Sequence, residues 1–277
     1  MMTAKIIDGK KLAEQRKQEI KERVLKIGKT PCLAVVLVGD NPASQIYVRH
    51  KIKAAEEVGI KVCLFKKTED ITKEELISFI GQLNEDLKIN GVIVQLPLPR
   101  HIPSFEVLEA IHPDKDVDGL GSYNLGKLFV GHQNLVPCTP LACLDLIKQV
   151  RTDLSGLRAV IVGRSCLVGK PLGQLLLEEN CTVTQAHSYT KDLPAVCREA
   201  DILVSAVGRP NLITAEYVKS GAIVIDVGIN RMPDGRICGD VDFESVAEVA
   251  GAITPVPGGV GPMTVCMLLQ NVVKVSV

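Results

Sequence analysis

The sequence predicts an α/β protein built from two α/β domains, the second of them a doubly wound parallel sheet. Three observations carry that prediction. Apolar runs of strand length alternate along the 277 residues with longer segments of helical period, the rhythm of βαβ units. The stretch Leu157 to Asn180, LRAVIVGRSCLVGKPLGQLLLEEN, switches from a β-branched run to a helical pattern across glycines, as a strand, a tight turn and a helix start require. No Gly/Ser-rich linker interrupts the chain, so the boundary between the domains is expected near Pro140, at the start of a connecting helix.

Taken in order, Asp8 to Ile27 reads as a charged surface helix with a narrow apolar stripe of Leu12, Ile20, Val24 and Ile27, stopped by Gly28. Cys32 to Val38 is continuously apolar, as a strand covered on both faces would be. A Gly-Asp-Asn-Pro turn then opens a helix bearing Ser44, Tyr47, Lys51 and Ala55, on which Tyr47 and Lys51 are four apart and share a face. Lys61 to Phe65 is a second strand, and Thr72 with Glu75 forms a capping box that opens a helix through Leu87. Gly91 to Leu98 (GVIVQLPL) is a third buried strand, ending in polar Gln95 before Pro97.

A short helix over Pro103 to Ile111 leads to the turn-rich segment HPDKDVDG, His112 to Gly119, with three aspartates in five residues. Thr139 as N-cap and Pro140 at the first helical position predict a helix to Val150. The second domain then alternates strands at Ala159 to Val162, Thr182 to Ala186, Ile202 to Ala206 and Ile223 to Asp226. Ligands bind such sheets at the carboxyl ends of the strands, which draws attention to Ser205 to Gly208 and Asp226 to Asn230. Thr254 to Thr264 (TPVPGGVGPMT) is too rich in Gly and Pro for helix or central strand and is expected to be a rigid loop. Pro262 would open a last helix, Met263 to Val273, with an apolar face of Val265, Leu268, Leu269 and Val272.

The glycine turn suits a phosphate, because it aims free backbone N–H groups and the positive end of a helix dipole at one point. Its spacing is neither G-x-G-x-x-G nor Walker A: Gly163, Gly169 and Gly173 are separated by five and three residues, and Pro171 stands where Walker A has Ser or Thr. On the loop alone an ordinary βα turn is an equal reading. The next strand tips the balance, since it ends in His187-Ser188-Tyr189-Thr190-Lys191 and lacks the acid that an NAD site places on the ribose 2′-hydroxyl. With Arg164 in the turn, that edge favours a 2′-phosphate, hence NADP.

Charge is balanced, with 32 basic and 32 acidic side chains, so no general field draws the chain to nucleic acid or an anionic membrane. Aromatics make up 3% and Trp is absent, which argues against a base-stacking platform. The start MMTAKIIDGKKLAEQ lacks a signal-peptide apolar region, and no apolar run approaches the ~20 residues that span a bilayer. The nine cysteines are scattered, without C-x-x-C or zinc spacing, and read as free thiols in a reducing compartment, with no metal site. A cytoplasmic protein is expected.

With these residues in hand, the chain resembles the bifunctional methylenetetrahydrofolate dehydrogenase/cyclohydrolase family over essentially its whole length. The matching stretches are Tyr47-Val-Arg-His-Lys51 running into KAAEEVGI, the run from Glu75 through Asn84 and Asp86 to VIVQLPLP, then DKDVDGL, VPCTP, GRSCLVGKP and ITPVPGGVGPMT. The resemblance implies a folate-binding catalytic domain over 1–139 with a returning helix over 263–277, a Rossmann-like NADP domain over 140–262, a cleft between them, and a homodimer. It implies NADP-dependent oxidation of 5,10-methylenetetrahydrofolate and hydrolysis of the methenyl product to 10-formyltetrahydrofolate, within one-carbon metabolism.

Carried over residue by residue, Lys51 is the proton carrier, Gln95 orients it, Tyr47 stacks on the folate and Asp118 pairs with the pterin edge. Leu96, Pro257, Gly258 and Gly259 join Tyr47, Gln95 and Asp118 in holding the substrate. Gly163, Arg164, Ser165, Gly169, Ser188, Gly208 and Ile229 hold the cofactor. Two rivals stand beside this reading: another two-domain NADP dehydrogenase of amino-acid or shikimate type, and a nucleotide-sensing module without chemistry.

Overall fold

A computed structural model describes residues 4–277. The elements are β1 (Lys5–Ile6), α1 (Gly9–Ile27), β2 (Cys32–Val38), α2 (Pro42–Glu57), β3 (Lys61–Lys67), α3 (Lys73–Glu85), β4 (Gly91–Val94), α4 (Ser104–Glu109), α5 (Ser122–Phe129) and α6 (Cys138–Lys148). They continue with β5 (Arg158–Val162), α7 (Gly169–Glu178), β6 (Thr182–Ala186), α8 (Leu193–Arg198), β7 (Ile202–Ser205), a 3-10 turn at Ala215–Tyr217, β8 (Ile223–Asp226), β9 (Asn230–Arg231), β10 (Ile237–Cys238), α9 (Phe243–Ala247), β11 (Ala252–Ile253) and α10 (Val260–Lys274). The described residues form two compact units, one of residues 14–138 with 265–277, the other of residues 4–13 with 139–264.

The first of these is built on a parallel sheet in the order β3-β2-β4. All seven residues of β2 are buried, as its unbroken apolar run requires. Leu76, Ile80 and Leu83 of α3 pack into the same core as Ala34, Val36, Val92 and Val94. Both helices flanking β3 start on side-chain caps. Asn41 accepts from the Ser44 N–H at 3.0 Å ahead of α2, and Thr72 forms the predicted capping box with Glu75 ahead of α3.

The other unit contains a six-stranded, wholly parallel sheet in the order β1-β11-β8-β7-β5-β6. Its core runs through Val160, Val162, Leu203, Val224 and Ile253, alternate residues that share one face of the sheet.

Three boundaries differ from the sequence reading. Residues 4–13 lie in the unit of 139–264, not with 14–138, because Lys5 and Ile6 pair with Ala252 and Ile253 at the sheet edge. Helix α6 starts at Cys138, so Thr139 is inside it and is not its N-cap; α10 starts at Val260, ahead of Pro262. In both cases the proline sits in the first turn, where its missing N–H has no intrahelical acceptor to leave unpaired, so the helix extends back past it. The antiparallel hairpin of β9 and β10, with Ile237 opposite Arg231, carries no periodic signal in strands two residues long.

Candidate active site

The catalytic candidates Tyr47, Lys51, Gln95 and Asp118 all fall in the unit of residues 14–138, and α2 carries the first two. Its buried stripe is Ser44, Val48 and Ala55, which leaves Tyr47, 41% exposed, and half-buried Lys51 beside that stripe on one side of the helix. Gln95 follows the end of β4, and its backbone N–H still donates to the Val36 carbonyl at 2.9 Å. Leu96 is half-buried next to it.

Gln95 does not orient Lys51 in this geometry. Its Nε2 donates to the Leu96 carbonyl at 2.6 Å, while Oε1 is buried without a hydrogen-bond partner. A buried acceptor left unpaired is costly, so Oε1 is a ready receiver for a donor brought to the site.

Asp118 belongs to a loop held from three directions. Val92 of β4 donates its N–H to the Lys115 carbonyl at 2.7 Å, which lays the loop along the sheet edge. A Cβ on Gly91 would come 2.6 Å from Val117 Cγ1, so only glycine admits this approach. The Lys115 ammonium reaches back to the Leu83 and Asp86 carbonyls at 3.1 and 2.8 Å, satisfying the carboxyl end of α3. From α10, Asn271 donates to the Val117 and Val136 carbonyls at 2.9 and 3.0 Å.

The three aspartates of that loop have different tasks. Asp114 is exposed. Asp116 is buried and accepts from the N–H groups of Gly119, Leu120 and Gly121 and from Asn124 Nδ2, at 2.8 to 3.3 Å. Burial nevertheless pushes its carboxyl above the ordinary range, with the Asp118 charge acting in the same direction. Asp118 itself is half-buried, and its carboxylate and Lys51 both act on the buried Cys138 thiol, which burial holds well above its usual pKa. Lys51, Asp118 and Cys138 therefore share one neighbourhood.

Pro257, Gly258 and Gly259 lie in the other unit. There the Gly258 carbonyl accepts from Lys10 N–H at 3.0 Å, and Gly258 takes a φ of +113°, open to glycine alone. A Cβ on Gly259 would sit 2.7 Å from the Pro255 carbonyl oxygen.

The cofactor candidates also lie in that unit, at the carboxyl ends of β5 to β8. Gly163 has a φ of +131°, and a Cβ there would overlap the Ala206 carbonyl; one on Gly169 would overlap the Gly163 carbonyl. The turn is closed by hydrogen bonds from Val168 N–H to Ser165 Oγ at 3.2 Å and from Gln185 Nε2 to the Gly163 carbonyl at 3.0 Å. Helix α7 has no side-chain cap; Lys170 N–H donates to the Ser165 carbonyl at 3.0 Å and Pro171 has no N–H, which leaves the Gly169 N–H of the first turn for a ligand. Arg164 is exposed with its guanidinium 5.7 Å from the Tyr189 ring centroid, and Ser188 is exposed next to it in sequence. A glycine turn leading into an uncapped helix start, beside a cation, fits the phosphates of a dinucleotide. Gly208, at φ +65°, and Ile229, 49% exposed, follow β7 and β8.

Two organising residues, Asn271 and Asp240, are not among the candidates read from the sequence. Asp240 is fully buried and collects five donors: Ser205 Oγ, the N–H groups of Val207, Gly208 and Arg209, and Asn230 Nδ2. An aspartate within GDVDF, just after a short strand-like pair, is the one hint the sequence offers.

None of the nine cysteines forms a disulfide, and no group of His, Cys, Asp or Glu among the described residues has the arrangement of a metal site. No helix of the described residues is long and apolar enough to cross a membrane.

Comparison with known proteins supplies the family. Residues 7–118 match the model of the tetrahydrofolate dehydrogenase/cyclohydrolase catalytic domain, and residues 137–277 match that of its NAD(P)-binding domain. The bifunctional protein FolD of Listeria innocua is 55% identical over 274 residues, covering 98% of this chain and 96% of the relative. The crystal structure of FolD from Campylobacter jejuni aligns with a TM-score of 0.96 at 48% identity, over 99% of this chain and 98% of that one. FolD of Trypanosoma brucei, solved with NADP cofactor and inhibitor, aligns with a TM-score of 0.95 at 38% identity, over 100% and 98% of the two chains. The chain belongs to the tetrahydrofolate dehydrogenase/cyclohydrolase family.

Proposed function

We propose that this chain oxidises 5,10-methylenetetrahydrofolate with NADP and hydrolyses the resulting methenyl cation to 10-formyltetrahydrofolate, with Lys51 as the proton carrier of the second step. It would work as a homodimer in the cytoplasm. The observation that carries the proposal is the shared neighbourhood of Lys51 and Asp118 around Cys138, with Tyr47 one helical turn before the lysine. Membership of the family sets aside the amino-acid or shikimate-type dehydrogenase and the sensing module.

NADP, when bound, supplies the hydride acceptor, and what the protein adds to that step is alignment. The Gly169 N–H at the start of α7, and the absence of side chains at 163 and 169, would let the phosphates approach the backbone without steric obstruction. Arg164 and Ser188 would receive the 2′-phosphate, a bidentate partner for a guanidinium. Gly208 and Ile229, at strand ends, would border the rest of the cofactor.

In the folate half, Asp118 accepts from the donor edge of the pterin, and the exposed ring of Tyr47 offers a stacking surface. Hydrolysis begins when water adds to the methenyl carbon. Lys51 Nζ, reacting as the neutral amine, takes a proton from that water and returns one to the departing folate nitrogen, so the bridge opens to a formyl group with one proton released. Gln95 Oε1, lacking a partner, accepts from the lysine or from the substrate once either is drawn in.

Lys51→Met keeps much of the apolar stem and removes the proton-carrying amine. Hydrolysis of supplied methenyltetrahydrofolate, followed by its absorbance, should fall by about 10²–10⁴. Hydride transfer from methylenetetrahydrofolate to NADP should fall much less. If hydrolysis stayed at the wild-type rate while oxidation failed, Lys51 would be a positioning residue and the protons would come from elsewhere.

A further inference from the structure

Asp240 is wholly buried, 31 to 35 residues distant in sequence from its partners on the β7 side, and touches none of the expected cofactor contacts except Gly208. Its Oδ2 accepts from Ser205 Oγ at 3.3 Å, Val207 N–H at 2.8 Å and Gly208 N–H at 3.2 Å; its Oδ1 accepts from Arg209 N–H at 2.9 Å and Asn230 Nδ2 at 3.0 Å. Three successive backbone N–H groups thus converge on one carboxylate, an anion nest filled from inside the protein. The nest leaves no freedom on its other side, since a Cβ on Gly228 would come 2.5 Å from the Asp240 nitrogen.

Asp240 is itself held by a second buried carboxylate. Asp226 accepts from the N–H groups of Gly228, Asp240 and Val241, each at 2.9 Å. The segment that Asp240 organises also abuts the glycine turn: Ala206 N–H donates to the Val162 carbonyl at 2.8 Å, and the Ala206 carbonyl is the group that a side chain at position 163 would overlap.

From this geometry we infer that Asp240 is a positioning residue for the cofactor, fixing the loop of Gly208 and the turn of Ile229 against the Gly163 turn. It acts through those segments and makes no contact with the cofactor. One consequence is specific. The Gly208 N–H is spent on Asp240, so Gly208 serves the cofactor by its conformation and lack of a side chain, and not as a hydrogen-bond donor. The inference rests on the reading of Gly163, Gly208 and Ile229 as the NADP site.

The test compares wild type, Asp240→Asn and Ser205→Ala. NADP binding is measured by calorimetry, the KM for NADP in the oxidation, and the rate of methenyltetrahydrofolate hydrolysis with no NADP present. In Asp240→Asn an amide N–H replaces one acceptor and opposes a backbone donor, so Kd and KM for NADP should rise about tenfold or more. Hydrolysis should change less than about twofold, a split that a general loss of structure would not produce. Ser205→Ala removes one of the five donors and should shift NADP binding the same way by a smaller factor. Equal loss of both activities in both variants overturns the inference, as does unchanged NADP affinity. If Asp240→Asn does not fold, Ser205→Ala decides by its NADP Kd. Wild-type protein that binds no NADP would overturn the cofactor site itself, and this inference with it.

Discussion

Tyr47 and Lys51 ride on a sixteen-residue helix, whereas Gly163, Gly208 and Ile229 stand in turns whose shape no side chain of their own determines. The two units thus solve one problem differently. In the folate half, the chemistry is in side chains, and regular structure aims them. In the nucleotide half, the useful groups are backbone N–H donors and empty space, so the turns must be shaped from outside. The halves converge on one device: Asp116 gathers four donors around the Asp118 loop, and Asp240 gathers five around the Gly208 loop. In each, a buried carboxylate that does no chemistry fixes the segment that does.

This contrast can be broken first at Gly163. An alanine there combines a φ of +131° with overlap of the Ala206 carbonyl, so backbone has to move, at a cost of about 3 kcal/mol or more. Oxidation with NADP should fall at least a hundredfold, while hydrolysis of supplied methenyltetrahydrofolate survives. Loss of both in equal measure would show that the halves are not separable. The mirror experiment is Asp116→Ala. It strands the N–H groups of Leu120 and Gly121, while Gly119 keeps the residue 116 carbonyl, which should destabilise the protein by about 3 kcal/mol in urea unfolding and raise the KM for folate in both reactions. An unchanged KM for folate would separate the Asp118 loop from substrate binding.

The buried pair of the nucleotide half has a pH signature. Burial raises Asp226 from the ordinary 3.8 to about 6, despite three N–H donors. Between those values the folded protein holds a proton that the unfolded chain has released. The stability that proton brings is complete below pH ~3.8 and is lost as pH rises through ~6, up to about 3 kcal/mol. Asp226→Asn cannot titrate, so the difference in unfolding free energy between wild type and variant should move in the variant's favour across that window. A difference that is flat with pH would mean that the carboxyl is ionised throughout.

The smallest effect is expected at the surface. Arg164→Ala removes an exposed guanidinium, so the KM for NADP should rise about tenfold while that for NAD stays level. Equal changes for both cofactors would remove Arg164 from 2′-phosphate recognition.

Much of this arrangement was legible because it is local. The Tyr47/Lys51 pairing follows from helical period, Gln95 stands out as a polar residue after an apolar strand, and the Gly163 turn is announced by a change of period. What escaped the sequence is long-range. Strand β1 is two residues long and has meaning only beside β11. Asn271 binds carbonyls 154 and 135 residues away, and no neighbour in the sequence indicates that its amide has a use. Beyond its place in GDVDF, Asp240 gives no sign of its role, because its β7 partners are 31 to 35 residues away. The orientation of Gln95 could not be read either, because an amide at a strand end can turn to its own neighbour's carbonyl as readily as to a lysine.

The pairing of Ile6 with Ile253 also imposes an order of events during synthesis. The strand that opens the chain has to wait roughly 250 residues for its partner, on the order of tens of seconds at a ribosomal pace of about 5–20 residues per second. Asn271 imposes a similar delay on the segment it secures, since the carbonyls of Val117 and Val136 emerge long before it does. Neither unit can be finished while the last helix is still in the exit tunnel. A nascent chain stopped short of α10 would therefore display an unsealed sheet edge and an untethered Asp118 loop, the kind of surface that chaperones and proteases recognise.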